Sequence, residues 1–166
     1  MRFWKWPIGL IAVALFAVLV FWGLQQSEAS RSLPVDLALS NMQGDPISMA
    51  QFEGEPVIVN FWATWCPPCV REMPLLADYA KKEGFRLVLI NQAESVETIQ
   101  QYLDEAGLEF EFMLLDSHQH AYQNMQVRGL PTTQFFDHNG RLVNEHLGEV
   151  HARHLDTFID RYVNES

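Results

Sequence analysis

Cys66 and Cys69 are the only cysteines in the 166-residue chain, and two residues separate them. A disulfide between them closes so short a loop that it barely constrains the unfolded chain, so the pair reads as chemical rather than structural. Zinc wants four ligands, and the chain has no second cysteine pair. Its histidines, His118, His120, His138, His146, His151 and His154, lie far away in sequence. What remains is thiol–disulfide exchange, in which one thiolate attacks a disulfide and the other resolves the mixed disulfide.

That chemistry needs the pair at a particular place in a fold. The run 57–62 (VIVNFW) is β-branched, apolar and nearly continuous, as in a strand covered on both faces. A helix is predicted from 66 to about 82. Pro67 and Pro68 fall in its first turn, where missing N–H donors cost nothing, and Pro74 lies inside it, where a kink is expected. Lys81 and Lys82 suit its C-terminal end, and Gly84 its stop. Cys66 then stands at the helix start, where unpaired N–H groups and the macrodipole favour a thiolate. It is assigned as the attacking thiol, and Cys69, one turn on along the same face, as the resolving one.

The remaining pattern alternates strands and helices. Strands are expected at 35–39, 85–90, 110–115, 132–137 and 142–147, with turn residues at 41–46 and 138–140. Met49 to Phe52 fits a short helical turn. Helices are expected at 95–106, 119–125 and 151–163. Such alternation predicts an α/β sandwich.

The stretch Asn60-Phe61-Trp62-Ala63-Thr64-Trp65-Cys66-Pro67-Pro68-Cys69 resembles the active-site segment of the thioredoxin superfamily, and in particular of its membrane-anchored TlpA/ResA-type thiol-disulfide oxidoreductases. Val127-Arg128-Gly129-Leu130-Pro131-Thr132-Thr133 is similar to that group's proline loop. The helix-strand-helix between Asn91 and Arg128 is similar to its central insertion. The resemblance runs from about 33 to 163. It implies a thioredoxin-like fold: a central mixed β-sheet flanked by helices, with the TlpA/ResA-type insertion, preceded by one N-terminal transmembrane helix. It also implies that Pro131 is a cis proline facing the cysteines, leaving the backbone of Leu130 free to pair with an extended substrate segment. Trp65, beside Cys66, is expected to shield the sulfur and shape the docking surface.

Glu72 stands where members of the group carry a functional glutamate, and a carboxylate there could shuttle protons to the thiols or raise their pKa. The plainer reading is a solvated helix glutamate paired with Arg71 or a later lysine. One departure bears on the choice. Thioredoxin proper has a buried aspartate six residues before its first cysteine, and here that position is Asn60, which cannot accept a proton as a carboxylate does.

The uncharged run 7–24 would span roughly 27 Å as a helix, close to the hydrocarbon thickness. Trp4, Trp6 and Trp22 flank it. Arg2 and Lys5 precede it and every acidic residue follows it, which orients the N-terminus inward. The expected organisation is a cytoplasmic N-terminus (1–6), a transmembrane anchor (7–24), a linker (25–32) and a thioredoxin-like domain (33–166) outside the cytoplasm of a bacterial inner membrane. The competing reading is a cleaved signal peptide ending at Ser27-Glu28-Ala29. The formal net charge is -10, and all 21 acidic residues lie after the run, which argues against nucleic acid as a partner.

The leading function is a disulfide reductase without a metal or other cofactor. By resemblance, its clients include apocytochrome c, and a membrane electron donor of the DsbD or CcdA type recharges it. An oxidant that introduces disulfides is the second enzyme reading. A peroxidase of the peroxiredoxin type wants a threonine where this chain has Ala63. The non-enzyme alternative is a copper-handling module, since copper(I) favours thiolates.

Overall fold

The computed structural model describes residues 31–164. Seven strands form one mixed sheet: β1 (Ala38–Asn41), β2 (Pro46–Ser48), β3 (Val57–Trp62), β4 (Arg86–Asn91), β5 (Phe112–Leu115), β6 (Thr132–Phe136) and β7 (Leu142–Leu147), in the order β2-β1-β5-β4-β3-β6-β7. The helices are α1 (Pro67–Tyr79), α2 (Val96–Ala106), α3 (His120–Asn124) and α4 (Ala152–Tyr162), with a 3-10 turn at Met49–Phe52.

β3 is central, and all six of its residues are buried. Alternation along it sorts two cores. Val57, Val59 and Phe61 join Val88, Ile90 and Phe136 over the 3-10 turn and α3. Ile58 and Trp62 join Leu87, Leu89 and Phe135 beneath α1, α2 and α4. The same alternation puts Asn60 on the α1 side. β4 runs parallel to β3, whereas β6 runs antiparallel to it, with Phe61 opposite Thr132. The C-terminal end of β3 and the N-terminal end of β6 therefore meet at one edge of the molecule.

Several expected boundaries move. The first strand begins at Ala38 rather than Val35, and the segment expected as a turn at 41–46 contains part of a hairpin. Asn41 Oδ1 accepts the N–H groups of Gln43 and Asp45 at 2.9 and 2.8 Å, closing a shorter turn. Pro46 then opens β2, an edge strand, where its missing donor is tolerated. The helix expected to reach Lys82 ends at Tyr79, the last residue of its inward-facing stripe, and continues through Pro74. Arg31 and Ser32, read as the end of the linker, already join the sheet. Ser32 bridges to Arg141, and Leu142 N–H donates to Arg31 O at 2.7 Å. The expected anchor (7–24), the N-terminus (1–6) and linker residues 25–30 lie outside the described residues. Among the described residues, no helix is long and apolar enough to cross a membrane.

The β6–β7 turn shows how tightly the far end is fixed. Buried Asp137 accepts N–H groups from Asn139 and Arg141 at 2.9 Å and both N–H arms of the Arg141 guanidinium. Burial alone would raise its pKa. The Arg141 and Asn139 N–H groups and the Arg141 charge outweigh that and lower it. Asp137→Ala strands these donors and is expected to cost about 2 kcal/mol, read as a lowered urea midpoint at unchanged slope.

Candidate active site

The chain leaves β3 at Trp62 and reaches Cys66 through a tight turn, in which Cys66 N–H donates to Ala63 O at 3.2 Å. Cys66 is the N-cap of α1, in extended conformation, followed by the two prolines. Its Sγ accepts the N–H of Cys69 at 3.4 Å, so the sulfur occupies the capping position that favours negative charge. The two cysteines form a disulfide with Cα atoms 5.3 Å apart. Cys69 is fully buried and Cys66 is 5% exposed, so of the two cysteines only the first reaches solvent at all.

Glu72 is not a solvated helix glutamate. It is 1% exposed and lies in the stripe Cys69, Glu72, Met73, Leu76, Tyr79 that α1 presses onto the sheet. Arg71, one of the partners foreseen for it, pairs instead with Glu149 at 2.7 Å. One Glu72 oxygen accepts from Asn60 Nδ2 at 2.7 Å, and the other from Val150 N–H at 2.5 Å. Burial pushes its pKa up to about 7. The Val150 N–H and the Asn60 amide pull it down, and the nearby Glu149 carboxylate pushes it up. Asn60 also donates to Thr133 Oγ1 across the sheet at 2.9 Å, while its own Oδ1 has no partner among the described residues. The position that carries an aspartate in thioredoxin proper here steadies a carboxylate borne by the helix.

The Leu130–Pro131 peptide bond is cis. Pro131 immediately precedes β6 and so lies at the sheet end where Cys66 sits. Half-buried Leu130 packs against the core cluster that contains both cysteines. No backbone partner of Leu130 occurs among the described residues, whereas the next carbonyl, Pro131 O, accepts from Gly148 N–H at 2.8 Å. Trp65 is 66% exposed, and the other large exposed apolar side chain among the described residues is Leu147. A Cβ on Gly129 would lie 3.3 Å from Leu147 Cδ1, so Leu147 borders the proline loop. Trp62, by contrast, is fully buried packing.

Sequence reading missed Val150 and Leu147. Val150 acts through its N–H, which carries no side-chain signature. For the burial of Glu72 a signal did exist: position 72 falls in the helical period set by 69, 73 and 76.

A disulfide capping a helix after a central strand, beside a cis-proline loop on a mixed sheet, defines a thioredoxin-like thiol-disulfide oxidoreductase. Residues 31–145 match the AhpC/TSA family, and the chain belongs to that family. It is 31% identical to the thiol-disulfide oxidoreductase ResA of Halalkalibacterium halodurans, covering 96% of this chain and 94% of that one. It is 33% identical to the thiol:disulfide interchange protein DsbE of Vibrio cholerae, over 61% of this chain and 55% of that one. A solved thiol:disulfide interchange protein from Chlorobium tepidum superposes with a TM-score of 0.66 at 26% identity, covering 80% and 97% of the two chains. The cysteine pair makes this chain a thiol-disulfide oxidoreductase of the ResA/DsbE type.

Glu72 fixes a pH signature. A carboxyl whose pKa is raised by folding keeps more protons in the native state than in the unfolded one between pH 4.5 and about 7. Its contribution to stability is therefore full below pH 4.5 and falls as pH rises through 7, by about 3 kcal/mol in all. Glu72→Gln is expected to remove this decline. Denaturant titrations at pH 4.5 and pH 8 should show the variant gaining on the parent at the higher pH, and parallel pH profiles would refute the assignment.

Proposed function

We propose that the protein is a disulfide reductase working outside the cytoplasm, held to the membrane by residues 7–24. The Cys66 thiolate attacks a client disulfide, one client thiolate leaves, and a mixed disulfide forms on Cys66. The Cys69 thiolate then attacks the Cys66 sulfur, the second client thiol is released, and the Cys66–Cys69 disulfide closes. The observation that carries this exchange mechanism is the buried Glu72 carboxyl one turn from buried Cys69, with its pKa raised to about 7. The deeper thiol must lose its proton to resolve the mixed disulfide, and a carboxylate that titrates near neutrality is the group suited to take it. The unpartnered Asn60 Oδ1 offers an acceptor to protonated Glu72 once the amide turns over.

The client segment lies against Trp65 and pairs its backbone with Leu130, beside Pro131. The free backbone of Leu130 and the exposed indole support this placement. Clients that fit are extended segments with accessible disulfides, apocytochrome c among them, and a membrane electron donor of the DsbD or CcdA type restores the dithiol. Ala63 stands where the peroxidase reading wants threonine, which favours disulfide exchange over peroxide reduction.

Three measurements test the proposal. Cys69→Ser should trap clients as mixed disulfides on Cys66; trapping by Cys66→Ser instead would reverse the roles of the two thiols. The reduction potential is expected below about -200 mV, and a value near -120 mV would make the protein an oxidant. Glu72→Gln should slow resolution of a preformed mixed disulfide about tenfold or more at pH 7 while leaving its formation on Cys66 within about twofold.

A further inference from the structure

We propose that Glu94 is a positioning residue for Cys66, acting through Thr64. This rests on the reading of Cys66 as the attacking thiol and adds a group outside the cysteine helix to the machinery.

The turn that delivers Cys66 spans Ala63 to Cys66, and its second residue is Thr64. The Thr64 N–H donates to Glu94 Oε2 at 2.7 Å, and its hydroxyl donates to Glu94 Oε1. One carboxylate thus takes both donors of one residue, fixing its backbone and its side chain together. Glu94 is itself held. The side chain of fully buried Asn91 donates to Oε2 at 2.7 Å, and Asn91 Oδ1 accepts the Glu94 N–H at 3.2 Å. Ala93 has φ 60, a left-handed conformation uncommon for a residue with a side chain. Ser95, on the other flank, is the N-cap of α2. Glu94 is therefore clamped between the end of β4 and the start of α2. Because β4 runs parallel to β3, with Asn91 opposite Trp62, both strands end at the same level and the carboxylate meets the β3 turn.

The consequence falls on the sulfur. Cys66 is favoured as a thiolate only while it stays at the N-cap, where the Cys69 N–H reaches its Sγ. Untying Thr64 frees the turn, and the sulfur loses that alignment. Bare electrostatics predicts the reverse, since removing a neighbouring carboxylate should make a thiolate easier to form. The direction of the shift therefore separates positioning from charge.

The experiment uses the full chain carrying Cys69→Ser, so that Cys66 is the only thiol, and measures its alkylation by iodoacetamide against pH. Glu94→Ala is expected to slow alkylation at pH 7 about tenfold and to move the midpoint of the profile upward. Glu94→Gln keeps an oxygen for the Thr64 N–H and should recover most of the rate. Thr64→Val removes the hydroxyl alone and should fall between the two. A folded Glu94→Ala protein with an unchanged profile, losing only thermal stability, overturns the proposal, as does a downward midpoint. The readout is independent of client and direction of electron flow, so an oxidising potential would sink the reductase reading and leave this one standing. A Cys66 that is inert even with Glu94 intact would remove the attacking thiol and this proposal together.

Discussion

The site turns on one buried carboxyl. Glu72 ties α1 to β3 through Asn60 and to the loop entering α4 through the Val150 N–H. Three segments, one of them 78 residues further along the chain, meet on two oxygen atoms. Burying an ionised carboxylate is costly unless its lone pairs are occupied, and here each oxygen has a donor. The compensation is incomplete, which is why the pKa rises to about 7 rather than falling. The group that ties these segments together is thus also one whose pKa lies near neutrality. A fully satisfied carboxylate with a low pKa would hold the helix better but could not keep a proton at neutrality.

The surrounding loops converge for a topological reason. β3 and β4 run parallel, so the turn into α1 and the Asn91–Ser95 segment leave from the same sheet end. β6 runs antiparallel to β3, so Pro131 enters there, and β7, antiparallel to β6, delivers Leu147 to Val150 to that end as well. Each loop contributes something different: a disulfide cysteine, the Glu94 carboxylate that holds Thr64, an unpaired backbone edge and a donor to Glu72. The opposite end is closed by the Asp137 turn, where the hydrogen bonds join neighbours in sequence.

Burial divides the two sulfurs by the same logic. Cys66 caps the helix and is slightly exposed as a residue, while Cys69, one turn along, falls in the inward stripe above Glu72. The exposed Trp65 and the buried Trp62 repeat the contrast on the strand side, although both belong to the same aromatic-rich motif. Position relative to the strand end decides which indole packs and which faces solvent.

The sequence by itself determined the cysteine chemistry, the placement of the pair between a buried strand and a helix, and the thioredoxin-like alternation of elements. These are local signals: spacing, proline in a first helical turn, and period-two or 3.6-residue apolarity. The edge hairpin at 38–48 was misread because a side-chain-capped turn and a proline-led edge strand look alike in composition. Only the tertiary structure decided that Asn60 holds Glu72, that Arg71 pairs instead with Glu149, and that Val150 and Glu94 belong to the site at all. Each of these depends on which residues distant along the chain share a sheet end, and hydrogen bonds made by backbone N–H groups or across parallel strands leave no trace in residue type.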